Sequence, residues 1–307
     1  MDELRFDGRV AIVTGAGRGI GRAYAHLLAA RGARVVVNDL GGSMAGTGAD
    51  PGPAATVAGE IEAAGGTAIA DAGDVATEAG AAGLVETALD RFGRIDILVN
   101  NAGIMRWAGP PDVSVDDLQQ HLGVHLVGSF ATTVAAWPHL VAQGYGRVVL
   151  TTSAGLFGLP ANTAYAAAKG GVVGLARSLA TAGARHGIRV NLVAPAAWTR
   201  MAGAGEEDAS RAEDPMAAQL DPDLVAPMVA VLAHEDCPVT GEIYAAGGGR
   251  FARIFLAATA GHVVGDRPPT PEDVVAHWAA INDESSYVVP ADLNAWSAAF
   301  LAHLSAG

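Results

Sequence analysis

Lysine occurs once among the 307 residues, at Lys169, although arginine occurs eighteen times. An ammonium is a compact cation whose pKa moves readily on burial; a guanidinium is wide and effectively never gives up its proton. Cysteine is equally scarce. Cys237 alone excludes an intramolecular disulfide and a multi-thiolate metal site, and suits a reducing, cytoplasmic compartment. No run of about eighteen apolar residues occurs, so a membrane span is not expected. The acidic start Met1-Asp2-Glu3-Leu4-Arg5 predicts no secretory leader, and Ser305-Ala306-Gly307 is not a peroxisomal address. Basic charge is outnumbered, 19 against 32, for a formal net charge of -13. Such a chain repels nucleic acid and anionic membranes, and neither is an expected partner. A phosphate-bearing ligand would be bound by backbone amides and a few placed arginines.

What the chain does have is a 50% apolar content, enough for a large core, arranged as strands alternating with helices. Arg9 to Thr14 reads as a buried strand, and Thr14-Gly15-Ala16-Gly17-Arg18-Gly19-Ile20-Gly21 leads from it into a helix over Arg22 to Arg31. Strand, glycine turn and helix in that order offer a dinucleotide pyrophosphate close backbone approach, free N–H groups and the positive end of a helix dipole. The strand Arg34 to Asn38 ends in Asp39, whose carboxylate can accept hydrogen bonds from both ribose hydroxyls and would repel a 2′-phosphate. NAD is therefore favoured over NADP, although Arg18 pulls the other way. Leu40 to Pro53 is a loop rich in Gly, Ala and Pro whose function the sequence does not disclose.

Further alternation follows: helices near Ala54 to Ala64 and Thr77 to Phe92, and strands near Thr67 to Ala72, Ile95 to Val99, Arg147 to Thr151 and Arg189 to Ala194. This spacing predicts an α/β, Rossmann-type doubly wound parallel sheet with helices on both faces. Ligands bind such sheets beyond the strands' carboxyl ends, where Gly15 to Gly21, Asp39, Asp74 and Asn101 all fall. From Arg250 onward strand alternation stops, and helices near Pro271 to Ile281 and Ala291 to His303 form a C-terminal extension. The expected division is a nucleotide-binding domain over 1–249 and a helical extension over 250–307 packed on it. Met201 to Asp221, with Gly203, Gly205, Glu206-Glu207-Asp208 and Asp214-Pro215, reads as a lid or a plain acidic loop.

Tyr165 and Lys169 stand four residues apart, on one face of a helix. A nearby cation lowers a phenol pKa that is otherwise about 10. The strand ending Thr151-Thr152-Ser153 precedes Tyr165, so hydroxyls and a phenol can converge on one substrate oxygen. His121 and His125 have metal-compatible i, i+4 spacing, but no glutamate follows His121 and no third ligand is evident, so no metal is expected. His125 facing the same site as Tyr165 is the more useful reading.

Four motifs in order, Thr14 to Gly21, Asn100-Asn101-Ala102-Gly103, Tyr165-Ala-Ala-Ala-Lys169 and Asn191 to Pro195, resemble the short-chain dehydrogenase/reductase family. The resemblance implies an NAD-dependent oxidoreductase interconverting a secondary alcohol and a ketone. By it, Tyr165 is the general acid/base, and Lys169 holds ribose hydroxyls and lowers the Tyr165 pKa. Cofactor contacts would come from Gly15, Gly17, Arg18, Gly19, Ile20, Gly21, Asp39, Asp74, Val75, Asn101, Ala102, Gly103, Pro195 and Thr199, with Thr199 on the carboxamide. Two departures matter. The family's serine position holds Thr152, so Thr152 is the first choice for the catalytic hydroxyl and Ser153 the alternative. Where the family usually has asparagine this chain has His125, which would order a water. A narrower resemblance rests on Arg5 to Arg9, Val37 to Gly42, Val124 to Phe130, Thr199-Arg-Met201 and Thr270 to Asp273. These look like the (3R)-hydroxyacyl-CoA dehydrogenase part of peroxisomal multifunctional enzyme type 2. It implies a 3-hydroxyacyl-CoA substrate and a homo-oligomer, dimer or tetramer, with Arg106, Arg200, Arg250 and Arg253 as candidates for the CoA phosphates. A hydroxysteroid or small cyclic alcohol is the alternative substrate, and a catalytically silent nucleotide-binding protein is the alternative of another class.

Overall fold

In a computed structural model, which describes residues 3–202, 215–265 and 267–305, the chain forms two units, 1–253 and 254–307. The first is built on an eight-stranded sheet in the order β3-β2-β1-β4-β5-β6-β7-β8. Its strands are β1 (Val10–Thr14), β2 (Arg34–Asn38), β3 (Thr67–Asp71), β4 (Ile97–Asn100), β5 (Gly146–Thr151), β6 (Ile188–Pro195), β7 (Ile243–Gly247) and β8 (Arg250–Ile254). The first seven pair in parallel. β1, β4 and β5 are buried along their whole length, as strands covered on both faces must be, which is why they read as continuous apolar runs.

The helices are α1 (Gly19–Ala30), α2 (Gly52–Ala63), α3 (Glu78–Phe92), α4 (Val115–His121), α5 (Gly128–Gln143), α6 (Thr163–Gly183), α7 (Pro215–Gln219) and α8 (Ala226–Ala233). α1 packs against α2 and α8, while α3 packs against α5 and α4 against α6, giving a helix layer on each face of the sheet. Local chemistry sets the ends. Thr77 caps α3 by accepting from Gly80 N–H, and Gly93 closes it in the left-handed conformation at φ 76°. Strand order reverses between β1 and β4, and that switch point opens a crevice at their carboxyl ends.

Two features depart from the sequence reading. Strands continue past Arg250: β8 follows β7 across Gly248-Gly249, a connection short enough only for an antiparallel pair. Its side chains are exposed or half-buried, and two of its five residues are arginine, so it carries no apolar signal. The segment carrying His121 and His125 at i, i+4 is also not plain α-helix, because Leu122–Val127 is a π-helical turn between α4 and α5. Such turns are rare and often mark functional sites.

The second unit contains a two-stranded antiparallel pair, β9 (Ala258–Thr259) with β10 (Tyr287–Val288), and helices α9 (Pro271–Ala276), α10 (Trp278–Ile281) and α11 (Leu293–Phe300). Thr270 and Asp273 form a reciprocal capping box on α9. Gly203, Gly205, Glu206, Glu207, Asp208 and Asp214, from the stretch read as a lid or acidic loop, lie outside the described residues. Among those described, no helix is long and apolar enough to cross a membrane.

Candidate active site

A cleft of about 790 Å³ lies at the switch point, within the range usual for ligand sites. Of the residues expected to contact a cofactor, all line it except Pro195, Tyr165 and Lys169. Its floor is the glycine turn. Gly15 has φ +62°, and a Cβ there would meet Ala102 Cα at 2.8 Å; one on Gly21 would lie 2.2 Å from Gly15 O. These contacts hold β1, the turn and the segment after β4 in one tight unit that admits no side chain. Thr14 Oγ1 accepts from Asn101 and Ala102 N–H, each at 3.0 Å, and Asn101 Nδ2 donates to Thr14 O and Gly15 O. The bare start of α1 thus faces a cradle suited to a pyrophosphate.

Asp39 stands at the tip of β2 with its rotamer fixed. Oδ2 accepts from Gly17 N–H at 2.8 Å and Oδ1 from Gly41 N–H at 2.7 Å. A carboxylate has about four acceptor positions, so two stay available to ribose hydroxyls. Arg18 is turned toward Gly42, its Nη1 lying 3.5 Å from Gly42 O. Asp74 Oδ1 accepts from Ala76 N–H at 2.9 Å, which orders the corner carrying Val75.

Tyr165 sits on the first turn of α6, only 9% exposed. Burial pushes its phenol pKa up, and the neighbouring Ser153 hydroxyl pulls it down. The sequence reading expected the lysine cation to lower this pKa; the largest influence is burial, which raises it. Lys169 is itself buried, its Nζ 5.7 Å from the Tyr165 ring centre and donating to Thr151 O at 2.8 Å. Desolvation lowers its pKa to about 7.

The two candidates for the hydroxyl are placed differently. Thr152 is fully buried and its Oγ1 donates to Lys169 O at 3.0 Å, so it faces into α6. Ser153 is the residue beside Tyr165. A Cβ on Gly155 would lie 3.3 Å from Ser153 Oγ and 3.4 Å from Tyr165 Cε1, which places the two side chains around one point.

His125 does face Tyr165, ring edge to ring face, with centres 5.3 Å apart. His121 stacks on His125 at 5.8 Å and also meets Tyr165 edge-on. Hydrogen-bond distances assign the tautomers. His121 Nδ1–H donates to Asp117 O at 2.7 Å and its Nε2 accepts from Arg106 N–H at 3.2 Å. His125 Nε2–H donates to Ile104 O at 2.9 Å, the shorter of its contacts with Ile104, so Nδ1 is left as an acceptor. Burial lowers both imidazole pKa values, that of His125 far below the usual range, so both are neutral near pH 7. His125 Nδ1, Thr151 Oγ1 and Asn162 Oδ1 are buried without a protein hydrogen-bond partner. Three such atoms on the residues around Tyr165 and Lys169 are what a site for a polar substrate group requires.

The sequence reading did not single out Asn162, the residue just before α6, or the part played by Arg106. Arg106 was proposed for CoA phosphates, but its guanidinium is engaged with Ala45 O, Asp116 and Asp117. Arg253 is bound twice by Glu242, Arg200 lines the cleft, and Arg250 is exposed at the start of β8. Among the described residues, no group of three or more candidate metal ligands occurs.

Comparison with known proteins gives a concordant picture. The sequence pattern of the family described as short chain dehydrogenase matches residues 9–209. Peroxisomal multifunctional enzyme type 2 of Mus musculus is 45% identical over 290 residues, covering 94% of this chain but 38% of the mouse protein. Full-length peroxisomal multifunctional enzyme type 2 from Drosophila melanogaster superimposes with a TM-score of 0.80 at 34% identity, over 99% of this chain and 50% of that one. A short chain dehydrogenase from Mycobacterium avium gives a TM-score of 0.76 at 38% identity, over 90% and 94% of the two chains.

Proposed function

The chain belongs to the short-chain dehydrogenase family, oxidoreductases that act on CH–OH groups with a nicotinamide cofactor, and from that premise we propose that it oxidises (3R)-3-hydroxyacyl-CoA with NAD. The observation that carries the reading is the Ser153–Tyr165–Lys169 arrangement beside the glycine cleft. The cleft fits a dinucleotide: Gly15, Gly17 and Gly21 leave it open to close backbone approach, and Asp39 presents fixed acceptors to a ribose. When bound, the nicotinamide accepts the hydride.

The chain's own residues handle the proton and the oxygen. Ser153 donates to the carbinol oxygen and holds it against Tyr165, which takes the hydroxyl proton. Lys169, when protonated, would favour the tyrosinate from its place 5.7 Å from the Tyr165 ring centre, against the burial that raises the phenol pKa. His125 Nδ1, buried and unpartnered, accepts from a water that passes the proton onward. Asp39 beside the ribose disfavours a 2′-phosphate, and Arg18, drawn toward Gly42 O, does not compensate.

Likeness to the multifunctional enzyme supports the acyl-CoA assignment, as do exposed apolar side chains near the site. Trp107 is 48% exposed, Phe157 76% and Leu159 52%. They belong to neighbouring segments, since Ala108 bridges Asn162 just ahead of Tyr165. An acyl chain leaving the reacting carbon would meet apolar surface there. The exposed stripe Val127, Phe130 and Val134, at helical spacing, suits a homo-oligomer, and the single buried thiol suits a reducing compartment such as the cytoplasm.

Turnover tests the assignment directly. On a panel of 3-hydroxyacyl-CoA isomers, hydroxysteroids and cyclic alcohols, the (3R)-acyl-CoA compounds are expected to react fastest, with NADP binding at least about tenfold weaker than NAD. Activity on steroids but on no acyl-CoA would overturn the substrate, and equal binding of NADP would overturn the role of Asp39.

A further inference from the structure

The loop after β2 turns out to be a built element. Asp50 N–H donates to Leu40 O at 2.8 Å, closing its neck. Gly41 has φ +75° there, and a Cβ on it would collide with Asp50 O, so a side chain would force the neck open. Within the loop, Ser43 N–H donates to Thr47 O at 2.8 Å, Gly46 N–H to Ser43 O at 3.0 Å, and the Ser43 and Thr47 hydroxyls bond at 2.8 Å. The tip is fastened to the segment after β4. Met105 N–H donates to Met44 O at 2.9 Å, and a Cβ on Gly46 would touch Ile104 Cγ2 at 3.0 Å. Arg106 is the bolt: its Nε donates to Ala45 O at 3.1 Å while its Nη1 holds Asp116 at 3.1 Å and Asp117 at 3.4 Å, both on α4. One planar guanidinium thus ties the loop to the helix that carries His121.

Leu40, Gly42, Ser43, Met44 and Gly46 all line the cleft. We propose that residues 40–50 form a fixed wall of the cofactor site and that Arg106 is the positioning residue that keeps this wall in place, setting cofactor affinity without touching the reacting atoms. The inference rests on the reading that the cleft binds a nicotinamide dinucleotide. Its logic is preorganisation: a wall held before binding spares the complex the entropy of ordering about ten residues.

Calorimetric titration with NAD and hydrogen exchange test it without any substrate. Arg106→Ala is expected to weaken NAD about tenfold at unchanged binding stoichiometry and to speed exchange at the Ser43 and Gly46 amides. Arg106→Lys, which keeps the charge but not the fork, should recover part of the affinity. A folding defect would instead lower the stoichiometry and leave the affinity of the folded fraction intact. If Arg106→Ala does not fold, a chain in which Ser43 to Thr47 are replaced by a two-glycine turn serves the same purpose, and the same loss of affinity is expected. Unchanged NAD affinity in whichever variant folds overturns the inference. Failure of the wild-type chain to bind either nicotinamide dinucleotide would instead remove the cofactor reading on which it rests.

Discussion

Replacing Lys169 by methionine is expected to lower kcat on the order of a hundredfold or more and to change how stability depends on pH. The first effect follows from position. Lys169 is the chain's one ammonium, buried beside Tyr165, and a cation placed where charge develops in a low-dielectric site contributes strongly to rate. The second follows from linkage. Burial lowers the Lys169 pKa to about 7, while an unfolded lysine titrates near 10.4. Between those values the unfolded chain holds more protons than the folded one, so the ligand-free protein gains stability as pH rises, on the order of 1 kcal/mol per pH unit from this group. Below about pH 7 the folded state carries the full penalty of a buried cation. Urea midpoints taken from pH 6 to 10 should therefore rise more steeply for the wild-type protein than for Lys169→Met. Parallel slopes would show that Lys169 keeps an ordinary pKa.

Ser153→Ala is expected to reduce kcat about a hundredfold, and Thr152→Val to leave it within a few-fold. The structure separates two hydroxyls that the chain places side by side. Ser153 stands beside Tyr165 and lowers its pKa; Thr152 donates to Lys169 O inside the helix packing. Losing the first removes a donor from the reacting oxygen, typically worth a factor of 10² to 10³. Losing the second removes one buried hydrogen bond to a carbonyl that keeps its helical partner in α6, and costs about 0.5–1.5 kcal/mol of stability, not chemistry. The reverse ranking in a kinetic comparison would restore Thr152 as the catalytic hydroxyl.

That distinction marks the limit of the sequence. The glycine turn, Asp39 and the Tyr165–Lys169 pair were legible because each is a local pattern with a local physical cause. The parallel sheet was legible because strands buried on both faces are continuous apolar runs. Adjacent residues at a strand end point to opposite sides, so only the placement of the Lys169 carbonyl decides between Thr152 and Ser153. The wall formed by residues 40–50 depends on hydrogen bonds to Met105 and Arg106, some sixty residues away, that no local pattern announces. The edge strand β8 was missed because its exposed arginines mask it, and the π-helical turn because Leu122–Val127 continues the helical stretch on either side of it with no residue pattern specific to a π turn.

The central claim is that Tyr165 moves the proton in a chain that binds its cofactor independently of that step. Tyr165→Phe, assayed for turnover and for NAD affinity in one preparation, tests it most directly. Turnover is expected to fall about a thousandfold, within the range for loss of a general acid/base, while the Kd for NAD stays within about threefold of the wild-type value. Turnover retained beside unchanged NAD binding would contradict the account.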